Sequence, residues 1–330
     1  MLRGAVVGFG AVASRGHWPA YAASHDVAIA AVVDVAAERR TAARDLVENL
    51  TLAATLDGLA GLSIDFVDIC TPPALHAEPM LHAIERGWHV LCEKPFLLDS
   101  DLLNDVRRRA AARRVAVMPV HNWKYAPIIR AATDALRAGA IGQIRSVEIE
   151  TLRIRDCAAV DPRHPGWRRN AAIAGGGILM DHGWHAVYLA LAWLNEAPQD
   201  VQASFFKLPD SIVEDEARLS ITCRSASASI VLSWNAEVRR NRMRLLGETG
   251  EILIDDDTLV IQRPAGHQRT RFDRGLSAGS HHEDWFASML PDVVAAFRDP
   301  RRAAAAFEEA AQTLAVIQRA YGANVAIADL

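Results

Sequence analysis

A glycine-rich segment near the start of the chain has the residue types of a phosphate-binding loop. It reads GFGAVA from Gly8 to Ala13, follows an apolar run and opens a helical pattern. The glycines let the backbone turn tightly and approach a pyrophosphate, whose charge lies on the amides at a helix N-terminus. The alanine in third place still permits close packing of the helix on the strand. The segment predicts a dinucleotide site built from Gly8, Phe9, Gly10, Ala11 and Val12.

One carboxylate indicates which dinucleotide this loop binds. Asp34 ends the second apolar run, where a carboxylate accepts hydrogen bonds from the ribose 2'- and 3'-hydroxyls. A 2'-phosphate is repelled by that charge, so NAD is favoured over NADP as the cofactor. Arg39 and Arg40 follow closely and leave NADP open, because an arginine near the pocket can hold a phosphate.

Two further sets of polar residues have the types and spacing of an acid–base site. Lys94 follows an apolar run and is expected at the carboxyl edge of a sheet, where open α/β sheets bind ligands. There its ammonium can donate a hydrogen bond to a substrate oxygen and stabilise alkoxide character. Asp181 and His185 are spaced i, i+4 in a helical pattern and are expected on one face. We expect Asp181 to orient the imidazole and His185 to act as general base.

Each of these interpretations has a structural alternative. The less favoured alternative for Lys94 is a lysine that packs its stem at a strand end. Asp181 and His185 can form an ion pair on a helix face. A metal site would draw on His182 and the sequence His281-His282-Glu283, but no metal-binding spacing supports it, and no metal is expected.

Composition and charge exclude several classes of protein. The chain has 330 residues, of which 51% are hydrophobic and 23% charged, enough for a large core and two domains. A formal net charge of -4 and a pI near 6.3 provide no broad basic field, so nucleic acid is not an expected partner. No apolar run approaches the roughly 18 residues of a membrane span, and no signal-peptide pattern opens the chain. We therefore expect a cytoplasmic protein with no membrane contact.

The cysteines suggest neither a disulfide framework nor a structural zinc site. They are far apart in the sequence and form no CxxC pair. We expect four buried thiols, at Cys70, Cys92, Cys157 and Cys223.

Apolar runs alternate with helical patterns over the first 120 residues. Strands are expected at Leu2–Val7, Val27–Val33, Phe66–Cys70, Trp88–Cys92 and Val115–Val120, and helices near 12–23, 36–49, 74–86 and 99–113. Strands that are apolar on both faces and separated by helices predict a parallel sheet covered on both sides. Residues 1–122 are therefore predicted to be a doubly wound α/β domain, that is, a Rossmann fold.

The pattern changes after a helix predicted at Pro127–Ala138. Ala217–Arg224 and Ala226–Ala236 alternate apolar and polar residues, which is typical of antiparallel strands with one polar face. Shorter strands are expected near 144–154, 201–208, 243–246, 252–254 and 259–261, and terminal helices near 282–298 and 302–321. Residues 123–330 are predicted to form an α+β domain with a large, mainly antiparallel open sheet.

Two motifs give the chain a family resemblance. Trp88 to Pro95 reads WHVLCEKP, and Gly175 to His185 reads GGGILMDHGWH. With these motifs in this order the sequence resembles the Gfo/Idh/MocA oxidoreductases over essentially its whole length. The resemblance implies a Rossmann domain followed by a domain whose open sheet often forms the oligomer interface. It also implies reversible oxidation of a secondary alcohol, usually on a sugar, cyclitol or sugar derivative.

The resemblance extends to individual residues. It implies that the cofactor's nicotinamide side is lined by Glu93, Thr71, Pro72 and Pro73, and Lys94 and His76 are further residues expected to bind the cofactor. His17 and His76 match family positions on helices that begin near the cofactor. His76 and His17 each have the alternative of a packed structural histidine.

Further residues are candidates for contact with the substrate. His121 and Asn122 stand where the family carries substrate or cofactor contacts, and interdomain packing is the equal alternative for both and for Lys124. Trp167 and Arg168 are of the types that stack on and hydrogen-bond a polyol, although a tryptophan is as often a packing anchor.

Four residues depart from the family pattern. Tyr188 stands where many relatives have an aspartate, three residues after the histidine. Trp184 lies inside the D-x-G-x-H motif, and Trp123-Lys124 stands where relatives often have arginines. We expect Tyr188 and Trp184 to reshape the substrate pocket. Without the arginines, the resemblance does not imply an acid or phosphate group on the substrate.

The combined prediction is an NAD(H)-dependent dehydrogenase or reductase of a sugar-type or cyclitol substrate, assembled as a homodimer or homotetramer through its C-terminal sheet. Lys94 polarises the substrate oxygen, and His185 handles the proton. One alternative is an enzyme that retains NAD and re-reduces its own substrate, which gives epimerisation or glycoside cleavage. Another is a non-catalytic NAD(H)-binding sensor or structural protein.

Overall fold

The computed structural model describes residues 1–46, 49–156, 166–322 and 327–328, and these form two compact units. The first unit contains Met1–Asn122 and His281–Ala311. The second contains 123–156, 166–280 and the chain from Gln312 onward. The last part of the chain thus divides between the two units.

The first unit is built on a six-stranded parallel sheet. Its strands are β1 Leu2–Val7, β2 Val27–Val33, β3 Thr51–Ala53, β4 Phe66–Ile69, β5 His89–Cys92 and β6 Val117–Pro119. They lie in the order β3-β2-β1-β4-β5-β6, with every neighbouring pair parallel. This is the strand order of a doubly wound dinucleotide-binding sheet, so the predicted Rossmann fold is confirmed.

The second unit contains a nine-stranded sheet. Its strands are β7 Ile144–Leu152, β8 Asp200–Phe206, β9 Glu216–Thr222, β10 Ser227–Ser233, β11 Arg240–Gly247, β12 Glu251–Asp255, β13 Thr258–Arg263, β14 Gly266–Arg271 and β15 Ile327–Ala328. Their order is β14-β13-β12-β11-β7-β10-β9-β8-β15. The pairs β7–β10 and β8–β15 are parallel and the other pairs antiparallel. The predicted large, mainly antiparallel sheet is confirmed.

The helices surround these two sheets. The α-helices are α1 Trp18–Ala22, α2 Ala37–Arg44, α3 Ala77–Glu85, α4 Ser100–Arg113, α5 Pro127–Arg137, α6 Ala171–Ala174, α7 Trp184–Leu194, α8 Glu283–Arg298 and α9 Ala303–Gly322. Wide π turns at Val12–His17 and Leu179–Gly183 directly precede α1 and α7. Shorter 3-10 turns occur at Leu56–Leu59, Pro73–Leu75, Asn122–Tyr125, Trp167–Arg169 and Pro300–Arg302. In the described part of the chain, no helix is both long and apolar enough to cross a membrane.

Burial explains why α7 forms where it does. Ten of its eleven residues are buried, and the helix packs on β7 and β10 of the open sheet. A helix that is apolar on all sides is stable only when protein surrounds it. The sequence that carries His185 is therefore held inside the second unit rather than on its surface.

The structure departs from the sequence prediction in several short elements. The sequence analysis missed β3, β14 and β15, and it extended α2 to residue 49, whereas α2 ends at Arg44. A strand of three residues is too short to produce a periodic pattern, and all six residues of β14 are exposed, so that strand has no apolar face to detect.

The C-terminal helices also differ from the predicted division. The sequence analysis assigned all of 123–330 to the second domain, but His281–Ala311 belongs to the first unit. Aromatic packing explains this, because Phe286 of α8 stacks on His17 with ring centroids 3.7 Å apart, and Phe297 lies 5.1 Å from Phe66. Local periodicity predicts a helix but not the sheet that it covers.

Three of the four cysteines lie in the described residues, and all three are free thiols. Cys92 and Cys223 are buried as predicted, whereas Cys70 is only partly buried. Cys157 lies outside the described residues.

Candidate active site

Strand register brings the predicted cofactor residues to one edge of the parallel sheet. Val7 pairs with Val33 and with Ile69, and Ile69 pairs with Cys92. The residues that follow these positions, among them Gly8, Asp34 and Glu93, therefore leave the sheet at its carboxyl edge. Open α/β sheets bind ligands in the crevice at this edge.

The loop after β1 has room for backbone but not for a side chain at Gly8. The residue has φ +86°, and a Cβ added there would lie 2.9 Å from both the methyl group and the amide nitrogen of Thr71. This close approach and the positive φ both require glycine. The loop leads directly into the helical turn Val12–His17, an arrangement of strand, glycine loop and helical turn that suits the pyrophosphate of a dinucleotide.

Asp34 connects the loop after β1 with the chain after β2. One carboxylate oxygen accepts the Phe9 N–H at 2.7 Å, and the other accepts the Ala36 N–H at 2.8 Å. A carboxylate has about four acceptor positions, so Asp34 retains capacity for the hydroxyls of a ribose. The side chain is thus held in place before any ligand binds.

The two arginines behind Asp34 have different roles. Arg40 donates a hydrogen bond to the Asp34 carbonyl oxygen at 2.5 Å, which holds the start of α2. The Arg39 guanidinium lies 3.8 Å from the Asp34 carboxylate and 3.5 Å from the position that a Cβ on Gly10 would take. Arg39 is therefore the arginine that lies beside the phosphate loop.

His76 holds the Thr71-Pro72-Pro73 segment from behind. Its ring is fully buried, with Nε2 2.7 Å from the Thr71 carbonyl oxygen and Nδ1 3.1 Å from that of Phe96. Burial lowers the pKa of His76, so the neutral ring has one N–H to donate. This geometry supports the alternative of a structural histidine, while direct contact with a cofactor stays a prediction.

A buried cluster of ionisable groups lies beneath Lys94. The His17 ring places Nδ1 2.7 Å from Asp68 and Nε2 3.0 Å from Glu93. The Tyr21 hydroxyl donates to the same Asp68 oxygen at 2.9 Å. The second Glu93 oxygen accepts the Lys94 N–H at 3.0 Å, so the cluster reaches the backbone of the predicted catalytic lysine.

The charges in this cluster support one another. Burial by itself lowers the pKa of His17, but the neighbouring Asp68 outweighs it and holds the pKa well above its usual value. Burial alone would raise the pKa of Glu93, but His17 and Lys94 lower it overall. An imidazolium between two carboxylates is therefore the state that the geometry favours.

The same cluster contains residue types that bind metals. Among the described residues, His17, Asp68 and Cys70 bring their ligand atoms within 4.8 Å of one another. However, His17 Nδ1 and Asp68 Oδ2 are only 2.7 Å apart. Two ligands at about 2.0 to 2.1 Å from one tetrahedral zinc ion lie further apart than this. The separation is that of a hydrogen bond, so the geometry supports a proton-linked pair.

In the second unit, Tyr188 lies at hydrogen-bonding distance from His185. The distance from His185 Nδ1 to the Tyr188 hydroxyl is 3.0 Å, and both side chains are buried. The Trp123 ring stacks on the imidazole with centroids 5.0 Å apart. The i, i+4 argument assumed a regular α-helix, whereas Asp181 lies in the π turn Leu179–Gly183 and His185 lies in α7.

Asp181 lies among positively charged and aromatic side chains. Its carboxylate is 3.6 Å from Arg168 Nε and 3.4 Å from His182 Nδ1. The Arg168 guanidinium lies over the Trp167 ring, 4.4 Å from its centroid. The structure thus brings together three of the residues that the sequence analysis predicted for the substrate, Trp167, Arg168 and Asp181.

His182 also contacts Arg153 and Trp234. Its Nε2 accepts a hydrogen bond from Arg153 Nε at 3.2 Å, and Trp234 Nε1 lies 3.3 Å from Nδ1. Since the lone pair of Nε2 is used by a guanidinium, the geometry supports a structural role for His182 rather than the metal alternative.

The triple glycine is held closely rather than left as a flexible connector. A Cβ on Gly176 would lie 2.1 Å from the Tyr321 hydroxyl, and one on Gly177 would lie 2.1 Å from the Glu214 carbonyl oxygen. The Glu214 carboxylate accepts the N–H groups of Gly177 and Leu179 and the hydroxyl of Tyr321. Burial raises the pKa of Glu214. Sequence reasoning missed this residue, because its partners lie far away in the chain.

At the end of the first unit, His121 pairs with a glutamate. Its Nδ1 lies 2.6 Å from Glu309 Oε1, and the imidazole is buried. Asn122 is partly buried where the first unit ends, and Lys124 is partly buried two residues further on. Substrate contact by His121 and Asn122 stays a prediction.

The fold and this edge of polar groups define a class, the two-domain proteins with a dinucleotide-binding Rossmann sheet. Residues 2–121 match the sequence model of an oxidoreductase family with an NAD-binding Rossmann fold, and residues 129–253 match the Gfo/Idh/MocA C-terminal domain. The chain belongs to the Gfo/Idh/MocA family of oxidoreductases, which confirms the resemblance seen in the sequence.

Several curated relatives act on sugars or cyclitols. A levoglucosan dehydrogenase of Pseudarthrobacter phenanthrenivorans is 34% identical over 128 residues, 38% of this chain and 32% of that protein. A D-glucoside 3-dehydrogenase of Escherichia coli is 29% identical over 213 residues, 62% and 58% of the two chains. An inositol 2-dehydrogenase of Rhizobium meliloti is 27% identical over 66% of each chain. The first two matches span less than two thirds of those relatives.

A solved structure has the same fold over nearly the full length. The 3-ketoreductase KijD10 of Actinomadura kijaniata, in complex with NADP and TDP-benzene, superposes with a TM-score of 0.85 and 20% identity over 99% of both chains.

The His17 cluster predicts a pH dependence of stability. Because the pKa of His17 is higher in the folded than in the unfolded chain, its contribution is complete below the unfolded value near 6.5 and declines as pH rises. Between about pH 7 and 8.5, this contribution to the free energy of unfolding falls by up to about 1.4 kcal/mol per pH unit. His17→Gln should lose this slope and about 3 kcal/mol of stability at pH 7.

Urea unfolding of wild type and variant at pH 7.0 and 8.5 measures this slope. Exposed His25 provides the matched control, because His25→Gln should keep the wild-type slope. Equal slopes in His17→Gln and wild type would show that His17 is neutral in the folded protein.

Proposed function

We propose that this protein is an NAD(H)-dependent oxidoreductase that interconverts a secondary alcohol and a ketone on a sugar, cyclitol or sugar derivative. The observation that carries the proposal is the sheet edge where Gly8, Asp34 and Lys94 follow neighbouring strands in register. When bound, NAD supplies the hydride acceptor. The names of the relatives, which include glucoside and inositol dehydrogenases, support the substrate class.

Different residues at the carboxyl edge would bind different parts of the cofactor. The amides of Gly10, Ala11 and Val12 would hold the pyrophosphate, while the Phe9 N–H ties the loop to Asp34, whose carboxylate would hold the adenosine ribose. The segment Thr71–Pro73, tied down by His76, and Glu93 line the nicotinamide side. Glu93 is itself held by His17, which positions the backbone of Lys94.

NAD is the cofactor that the environment of Asp34 favours over NADP. Its carboxylate is buried and already accepts two backbone N–H groups, so it cannot turn away from a ligand. A 2'-phosphate placed against it would meet a fixed negative charge in a poorly solvated site. Arg39 is the residue that would bind such a phosphate, and its guanidinium lies 3.8 Å from the same carboxylate.

Acid–base chemistry belongs to Lys94 and His185. Lys94 donates a hydrogen bond to the substrate oxygen and stabilises the developing alkoxide. His185 takes the hydroxyl proton in oxidation and returns it in reduction. Asp181 supports the positive charge that His185 acquires, and Trp167, Arg168, His121 and Asn122 contact the polyol.

We further propose that two copies of the chain associate through the open face of the nine-stranded sheet. This face carries cross-strand charge pairs, such as Arg244 with Glu251 at 2.6 Å and Arg240 with Asp255 at 2.6 Å. Exposed Ser229 on β10 is a small side chain on this face, and it lines a depression together with charged residues of the neighbouring strands, among them Glu148, Arg242 and Arg244. A face with both signs of charge is suited to a second copy of itself.

The first prediction from the proposed function is a substrate-dependent reaction that needs both proposed catalytic residues. Absorbance at 340 nm is followed with NAD and a panel of inositols, aldoses, glucosides, polyols and sugar acids. Lys94→Ala and His185→Ala should each lower turnover at least about 10²-fold, while the affinity for NADH stays within threefold. Lys207→Ala and His267→Ala are controls that should retain wild-type turnover.

Wild-type turnover in His185→Ala or Lys94→Ala would refute the role given to that residue. If wild type gives no change in absorbance with any compound of the panel, and NAD is released only on denaturation, the result would instead support the enzyme that re-reduces its own substrate.

The second prediction concerns the choice of cofactor. Asp34→Asn keeps the size of the side chain and removes its charge, so kcat/KM for NAD relative to NADP should fall about tenfold or more. Arg39→Ala in the same background should then weaken NADP, because it removes the one guanidinium that we place at the phosphate. An unchanged ratio in Asp34→Asn would rule out charge repulsion as the basis of the preference.

The third prediction concerns association. Light scattering after gel filtration should give at least a dimer for wild type and a smaller species for Ser229→Arg, because the long charged side chain would project from this face into the second copy. Ser288→Arg, at an exposed position of α8, should leave the mass unchanged. A monomeric wild type, or a Ser229→Arg variant with wild-type mass, would exclude this interface.

A further inference from the structure

The hydroxyl of Tyr188 lies at the centre of a small buried arrangement in the second unit. The side chain of Tyr188 is fully buried, and its hydroxyl accepts the Trp123 backbone N–H at 3.2 Å. The same hydroxyl lies 3.0 Å from His185 Nδ1. The imidazole stacks on the Trp123 ring with an interplanar angle of 21° and meets the Tyr188 ring edge-on at 78°. The imidazole of His185 is thus held by contacts on its face and at Nδ1.

Hydrogen-bond chemistry limits what this hydroxyl can do. A backbone N–H only donates, so the Tyr188 oxygen must use one of its two lone pairs for Trp123. The remaining lone pair and the O–H allow two arrangements: the lone pair accepts from Nδ1–H of His185, or the O–H donates to a bare Nδ1. Only in the first arrangement is the proton on Nδ1, so that Nε2 carries the lone pair that a general base needs.

A tyrosine differs from a carboxylate in the same position. A carboxylate would orient the ring equally well, but its charge would also stabilise the imidazolium. A phenol hydroxyl can orient the ring without adding a charge. Tyr188 is three residues beyond His185 and therefore on the same face of α7.

We propose that Tyr188 is the positioning residue of His185, which it holds in the Nδ1–H tautomer and links to the backbone of Trp123. The choice of tautomer and the kinetic test rest on the proposed function, in which His185 is the general base, whereas the hydrogen bond between Tyr188 and His185 is tested without it.

The first experiment reads the tautomer directly and needs no substrate. In 15N spectra of protein labelled at histidine, the His185 signals are identified by their loss in His185→Ala. Wild type should show a protonated Nδ1 and a bare Nε2. Tyr188→Phe removes only the hydroxyl, and we expect it to shift the Nδ1 signal and to populate the other tautomer. Signals that are unchanged in Tyr188→Phe would overturn the proposal.

The second experiment measures the consequence for turnover, with the panel compound that wild type oxidises fastest. Tyr188→Phe should lower kcat about tenfold or more, the range found for partners that orient an active-site histidine, while KM changes less than threefold. Tyr188→Asp should recover at least threefold of that loss, because it restores an acceptor at Nδ1. A purely structural tyrosine predicts the reverse order, since aspartate leaves a void and buries a charge.

The outcomes separate this proposal from the proposed function. If His185→Ala is inactive and Tyr188→Phe has wild-type turnover, the role of Tyr188 fails and the general base stands. If His185→Ala has wild-type turnover, the general base fails, and the spectra alone decide the role of Tyr188. If neither Tyr188 variant folds, as judged by retained NADH binding, Tyr188 is a core residue and the proposal is overturned.

Discussion

Parallel pairing of β1 with β2 and β4, and of β4 with β5, is the constraint on which the cofactor site depends. Because these strands are in register, the residues that follow them leave the sheet at one edge. Gly8, Asp34, Thr71 and Lys94 come from four different segments, yet each is placed by the end of its strand. Parallel strands need crossover connections, and here helices and loops form these connections.

Buried carboxylates stabilise the segments that carry function in both units. Asp34 holds the loop after β1, Glu93 holds the backbone of Lys94, and Glu214 holds the start of the helical segment that leads to His185. Removing a carboxylate from water is costly unless several donors satisfy it. Each of these groups accepts backbone N–H donors, so a change in one of them would also disturb the segment that it holds.

The imidazoles of His17 and His185 are both held in place by neighbouring side chains, but the charges of those neighbours differ. His17 lies between two carboxylates, which favour its protonated form. His185 has a phenol at Nδ1 and an indole ring on its face, which orient the imidazole without adding a charge. The first arrangement is suited to a structural cation, and the second to a residue that must accept and release a proton.

The sequence by itself determined the fold class of both units, the phosphate loop and the position of Asp34. These features are local, because a strand followed by GFGAVA and a later acidic residue are read from short stretches of chain. The same holds for the alternating strands β9 and β10, whose period of two follows from one buried face. The family resemblance rested on equally local motifs.

Only the tertiary structure decided which side chains meet. The pairing of His17 with Asp68 and Glu93, the hold of Glu214 on Gly177, and the placement of α8 against His17 join residues far apart in sequence. The partner of His185 Nδ1 is near in sequence, but the π turn before α7 changes which residues align along the helix. Periodicity predicts the face of an element, whereas contacts depend on how elements pack, and packing is a property of the whole chain.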